Sequence, residues 1–200
     1  GRDGMSEASE TGPIDLLEEA LRLIEREGWA AYGPLRLARE TGAGLAEIVT
    51  QLGDRTDVLA ALGRRADMAM IDVAAADLAD MSAKERVFEL MMRRFESLKP
   101  ARPALSRLRR EAAPDVWLAG LGNLRRAVKL IVEAAGLAGH GPRRAVVGAA
   151  LADAYLRTGR VWLDDDSEDL ARTLAELDRQ LDRIGGVLKS HAGGVANGSG

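Results

Sequence analysis

Apolar residues recur every three or four positions along almost the whole of this chain, and a glycine or proline closes most of the runs. That period lines up one face of a helix, and no stretch shows the strict alternation of a half-buried strand. The chain is therefore expected to be all-α, with about nine helices. Residues 14–27 place Leu17, Leu21 and Ile24 on one side, joined by Leu16, Ala20 and Leu23, with Gly28 as the C-cap. Two short helices follow, 34–41 opening on Pro34 and 45–52 closing at Gly53. Residues 56–81 read as one long helix begun by Asp54, and 83–98 as another that ends before Pro100 and Pro103. A short arginine-rich helix over 103–113 leads to a long one over 116–135, stopped at Gly136. Residues 142–163 are apolar almost all round, which predicts a buried central helix. After the acidic break at 164–166, Ser167 caps a last helix.

Grouped by these breaks, residues 14–62 form an N-terminal three-helix unit and 63–186 an antiparallel helical bundle. Residues 1–13 and 187–200 are polar or glycine-rich and read as disordered, and 1–4, ahead of Met5, are set aside as an appended leader.

Composition removes several kinds of chemistry. The chain has no cysteine, which excludes a disulfide scaffold, a thiolate nucleophile and cysteine-held metals. Its two histidines, His140 and His191, lie among glycines rather than at ligand spacing, so no metal site is expected. No set of residues resembles a nucleophile, base and orienting group, so neither an enzyme nor a cofactor is expected. No uncharged apolar run reaches the roughly 18–20 residues of a membrane span, and the start shows no signal-peptide pattern, so a cytoplasmic location is expected.

Charge is unevenly placed. Residues 14–66 carry nine acids against seven bases, and 84–144 carry fourteen bases against six acids. Attraction for phosphate should come from the middle of the chain, not from its beginning.

The two short helices joined by Gly42-Ala43-Gly44 have the lengths and turn of a DNA-binding helix-turn-helix, although helical hairpins with glycine turns also occur without DNA. The stretches 16–29, 35–42 and 54–59 resemble the N-terminal domain of TetR-type transcriptional regulators. In that family the first helix ends in glycine and an aromatic residue, the second carries an Ile-Ala-x-x-x-Gly core, and a lysine-containing turn opens the fourth. Gly28-Trp29, Leu37-Ala38-Arg39-Glu40-Thr41-Gly42 and Arg55 stand in those places. The resemblance implies a TetR-like fold with Arg36, Arg39, Gly44, Leu45, Glu47, Thr50, Gln51 and Arg55 facing DNA. Where the family has a Ser-Lys pair, a Thr, an aromatic and a His or Arg, this chain has Gly44, Leu45, Glu47, Val49 and Gln51. Gly44 lacks a capping oxygen, Leu45 replaces a phosphate-binding cation, and Glu47 repels phosphate. The motif reads as a relic of the fold or as a working reader of operator DNA.

Phe88, Met91, Met92 and Phe95 share one side of their helix, as ordinary core or as the wall of an apolar pocket. TetR-type proteins keep such a pocket among the equivalent helices, which implies Leu121, Leu124, Val128, Val132, Leu151, Tyr155 and Trp162 as its other walls. Residues 82–98, and the block 161–179 containing Trp162-Leu163-Asp164-Asp165-Asp166-Ser167, resemble the lipid-binding accessory protein of ubiquinone (coenzyme Q) biosynthesis. That family has a TetR-like fold and a degenerate DNA-binding half, and presents lipids or isoprenoids to a hydroxylase partner. The resemblance implies a non-enzymatic binder of a lipid, isoprenoid or quinone precursor, and the alternative is a ligand-responsive TetR-type repressor. Arg102, Arg107, Arg109, Arg110, Arg125, Arg126 and Lys129, near Trp117, Leu118 and Leu121, make either a solvated face or a patch for peripheral attachment at the inner membrane. Finally, Leu170, Leu174, Leu177, Leu181 and Ile184 repeat at 4-3-4-3. The stripe can pack on its own body, but TetR-type proteins dimerise through their last two helices, so a homodimer is expected.

Overall fold

The structure, a computed structural model, describes residues 14–137 and 141–192. The expectations for residues 1–13 and 193–200, and for His140, lie outside the described residues. Among those described, every element is helical: eleven α-helices and two short 3-10 turns. Helices α1 (Leu16–Glu27), α2 (Pro34–Thr41) and α3 (Leu45–Leu52) make the head. Asp15 caps α1 by accepting from the amides of Leu17 and Glu18, and Pro34 opens α2. Helix α4 (Arg55–Ile71), begun by a reciprocal Asp54–Asp57 capping box, runs from the head into the body. There it packs against α6 (Ala83–Leu98) and α8 (Pro114–Ala134), while α9 (Pro142–Leu163) and α10 (Ala171–Arg183) pack on each other.

The head is bolted to the body rather than hung from it. Trp29 is fully buried in the turn after α1, and its Nε1 donates to the Ala104 carbonyl at 2.9 Å. Its amide donates to Glu111 at 2.8 Å. Arg107, at the end of α7 (Arg102–Arg107), donates to the carbonyls of Glu25 and Arg26, where α1 leaves its last carbonyls unbonded and its dipole is negative. Gly28, at φ +96°, is required here, because a Cβ would stand 2.6 Å from the Glu111 carboxylate.

Several elements differ from the sequence expectation. The long helix over 56–81 is two: α4 stops at Asp72, whose ψ of 68° leaves helical space, and α5 (Ala75–Ala79) follows. Arg93 of α6 donates to the Asp72 carbonyl, which satisfies the break. The arginine-rich helix over 103–113 is shorter, ending at Arg107. Helix α9 is not the buried centre. It buries Val147, Leu151, Ala154, Thr158 and Trp162 and leaves Val146 56% and Leu156 46% exposed, because the neighbours α8 and α10 cover only one side of it. The last helix is followed by α11 (Gly185–Ala192), not by disordered chain, and Leu188 is buried there. The leucine stripe is spent inside the chain: Leu170, Leu177, Leu181 and Ile184 are buried and Leu174 half-buried against the body, so they offer no free face to a second copy.

The acidic string before α10 also proves to be structural. Asp165 is fully buried and accepts from the hydroxyls of Ser167 and Thr173, the Ser167 amide and the Thr173 amide, the last at 2.8 Å. Burial pushes its carboxyl up, but the Ser167 and Thr173 bonds outweigh this and bring it down to about 2. Its folded value therefore lies below the unfolded one, so its contribution is complete above about pH 4 and fades as pH falls towards 2. Asp165→Ala is expected to cost on the order of 1–2 kcal/mol at neutral pH, with the difference from the parent closing in acid. Urea titrations at pH 7 and pH 3 measure both; a gap that does not narrow at pH 3 rejects this account.

Candidate functional site

Two surfaces carry the sequence candidates. On the head, α3 exposes Leu45, Ala46, Glu47, Val49, Thr50 and Gln51, with Leu45 at 45% and Val49 at 50%. Gly44 gives no side-chain cap. The Thr50 hydroxyl donates to its own helix at the Ala46 carbonyl. Arg36 is held by Glu27 at 2.5 Å and by Glu40 at 3.4 Å, chiefly the Glu27 bond keeping its charge fixed. Arg26 is paired with Glu40, and Arg22 with Glu18 and Glu19. Arg55 grips Asp115 of α8 with two bonds of 2.7 Å. Among the described residues of the head, 14–54, Arg39 is the one basic side chain without an ion pair. The recognition face is thus apolar and acidic, with one free cation to meet phosphate.

In the body, an apolar groove of about 570 Å³ lies between α6, α7, α8 and α9. Phe95, Leu108, Trp117, Leu156, Gly159 and Trp162 are among its walls. A smaller recess of about 200 Å³ shares Leu98, Leu105, Leu108, Trp117, Tyr155 and Leu156 with it and reaches inward to α4. Phe95 stacks on Tyr155 at 4.7 Å and lies 5.8 Å from Trp162, which gives the groove an aromatic floor. Trp162 is buried and its Nε1 has no acceptor among the described residues.

The sequence candidates for the pocket divide. Phe95, Tyr155 and Trp162 line the groove, and Leu121, Leu124 and Tyr155 the recess. Leu124, Val128 and Val132 line a separate dent between α8 and α9, and Phe88 one beside Asp178. Met91, Met92 and Leu151 are buried core and line none of these cavities, because their faces of α6 and α9 turn into the packed body. Leu98, Leu105, Leu108, Leu156 and Gly159 were not singled out in the sequence; they come from α6, α7 with the turn after it, and α9, whose packing no local pattern reveals.

An ionisable cluster, missed from the sequence, reaches the recess wall through Arg94, Asn123 and Tyr155. Arg94 donates through Nε to Asp67 at 3.1 Å and through Nη1 to the Tyr155 hydroxyl at 2.9 Å. Arg126 donates to the other Asp67 oxygen at 2.5 Å and to Asn123, whose amide donates to the Leu59 carbonyl. Asp67 and Arg94 are 3% and 4% exposed. Burial pushes the Tyr155 hydroxyl upward, so it stays neutral while it accepts from Arg94. The signal was available: Arg94 falls in register with Val87, Leu90, Met91 and Leu98, and Asp67 with Leu59, Met70 and Ile71. A charge on an apolar stripe implies a buried partner.

The basic patch is largely committed. Arg102 donates to the Asp165 carbonyl and lies over Trp162, Arg107 holds α1, and Arg109 makes two bonds to Asp164. Arg110, Arg125 and Lys129 remain without an ion pair among the described residues. Trp117, Leu118 and Leu121 are 53%, 70% and 52% exposed beside the groove. No helix of the described residues is long and apolar enough to cross a membrane.

No family model matches the chain, and no curated protein matches it. Among solved structures it is similar to a TetR transcriptional regulator from Nitrosomonas europaea, with a TM-score of 0.66 and 22% identity over 88% of this chain and 95% of that one. It is also similar to PfmR, a TetR family transcriptional regulator from Thermus thermophilus, with a TM-score of 0.51 and 17% identity over 83% and 93%. At these identities the likeness establishes a TetR-type all-α fold.

Proposed function

We propose that this chain is a non-enzymatic, ligand-responsive protein of the TetR fold that takes an apolar molecule into the groove of its helical body. The observation that carries this reading is the groove: about 570 Å³, walled mostly by aromatic and aliphatic side chains from four helices, with Arg109, Arg160 and Asp164 also in its lining. A chain-like ligand gains on the order of 0.8 kcal/mol for each methylene buried there. Action as a homodimer belongs to the reading. With the leucine stripe spent internally, the contact is assigned to the outer face of α9 at Val146, which is 56% exposed and lines neither the groove nor the recess.

Two outputs are open to such a protein. A DNA-binding regulator is the one the comparisons support, since both similar structures are described as TetR transcriptional regulators and the helix-turn-helix geometry is intact. An accessory role in ubiquinone biosynthesis is supported by the resemblance of residues 82–98 and 161–179, and by a head whose cations are mostly paired. A hydroxylase partner and attachment to a membrane surface belong to that second output.

Native mass spectrometry of the purified protein tests the reading, reporting any co-purified apolar mass and the number of chains. Acyl or isoprenoid compounds at about 100 times their dissociation constant should stabilise the fold by about 2.7 kcal/mol. That corresponds to a rise in melting temperature of roughly 5–10 °C for a chain of this size. Gly159→Leu should abolish the rise, since a Cβ there already meets Phe95 at 3.8 Å and the added carbons enter the groove. An unchanged rise in that variant places binding elsewhere. Binding to fragments of the upstream region, weakened by Arg39→Ala and steep in salt, decides for the regulator; a folded protein with no sequence preference at low salt decides against it.

A further inference from the structure

Asp67 faces two guanidiniums with one carboxylate. Arg94 and Arg126 each take one of its oxygens, so the cluster carries one positive charge more than it neutralises. Buried charges in proteins are ordinarily paired, and Arg94 is 4% exposed. Arg126 is 37% exposed and lies outside the recess lining, whereas Arg94, with Asn123 and Tyr155, stands in the wall of an otherwise apolar recess. Arg94 has five N–H donors, and the bonds to Asp67 and Tyr155 leave at least one on each terminal nitrogen uncommitted. The Tyr155 hydroxyl accepts from Arg94, and its own hydrogen finds no acceptor among the described residues. Donors and positive charge therefore sit in the recess wall, and aromatic and aliphatic walls run from there into the larger groove, whose lining also holds Arg109, Arg160 and Asp164.

We propose that the ligand is an amphipathic anion, a single-chain carboxylic acid. Its carboxylate accepts from Arg94 and Tyr155 in the recess, and its chain lies along Leu105, Leu108, Trp117 and Leu156 into the groove. This rests on the reading of the groove as a binding site and adds the chemical class of what it holds. Neutral long-chain alcohols share the tail but not the charge, so they separate the two ideas. A hydrogen bond to a charged partner in a water-poor site is worth on the order of tenfold in affinity or more.

The test uses the full chain with dodecanoate and 1-dodecanol, each below its aggregation concentration, titrated by calorimetry and by the emission of Trp117 and Trp162. Dodecanoate should bind at least tenfold tighter than dodecanol in the parent. Tyr155→Phe, which keeps the stacked ring, should lower dodecanoate affinity about tenfold and leave dodecanol within threefold. Arg94→Lys, which keeps the charge and loses the fork, should do the same, and if it does not fold by circular dichroism the Tyr155→Phe result decides. Equal binding of the two probes overturns the anionic head and leaves the groove reading standing. A dodecanoate preference untouched by Tyr155→Phe overturns the placement of the head. Binding of neither probe overturns both this inference and the groove reading.

Discussion

Asp67→Ala should destabilise the protein by on the order of 3–5 kcal/mol, because it leaves the guanidinium of Arg94 buried without a carboxylate. The loss does not stop at one pair, since the same side chain ties Arg126 of α8 to α4. Against a usual domain stability of about 5–15 kcal/mol, that is a large fraction. Replacing Asp67 and Arg94 together by Asn and Met should cost less than Asp67→Ala alone, because the one charge left unpaired, Arg126, is 37% exposed and reaches solvent. Chemical denaturation of the two variants measures the order. A single variant within about 1 kcal/mol of the parent would show that water already reaches the cluster.

Trp29→Ala should cost about as much, on the order of 3–5 kcal/mol, through the cavity left by a fully buried indole. It also orphans the Ala104 carbonyl that Nε1 serves. The distinctive result is where the damage appears. Trp29 joins α1 to the α7 region, so hydrogen exchange should rise both in α1 and around residues 101–113, with α10 much less affected. Exchange confined to the head would mean that the two parts are not coupled through this side chain.

Much of the architecture was legible in the residues. Periodicity and the glycine and proline stops located α1, α2, α3, α6 and α8 to within a residue or two, because each has a clear cap or breaker and one apolar face. The 56–81 stretch was not legible as two helices, since its only mark is Asp72 in a run of alanines and the break is held from a distance by Arg93. Helix α9 was misjudged because alanine, valine and leucine on all sides mimic a buried helix; what leaves Val146 and Leu156 open is the number of neighbours, which the chain itself does not state. The site was half legible. Phe95, Tyr155 and Trp162 stood out as aromatic, whereas the Leu105, Leu108 and Gly159 walls are ordinary residues made notable by assembly. The leucine repeat of α10 read as a dimer seam, with packing on its own body as the alternative, and the intrachain neighbours α6 and α9 decide for core.

Helix α4 has its first turn in the head, with Arg55 clasping Asp115, and its middle in the recess, with Asp67 clasping Arg94. The two points are twelve residues apart, about 18 Å along one rigid rod. A lever of that kind makes the two ends thermodynamically answerable to each other. If a molecule in the recess favours one tilt of α4 over another, the head at its other end is biased with it. If that bias changes the head's affinity for its own partner by some factor, the partner must change the affinity of the recess by the same factor. Cooperativity between them is then one number, readable from whichever end is easier to titrate.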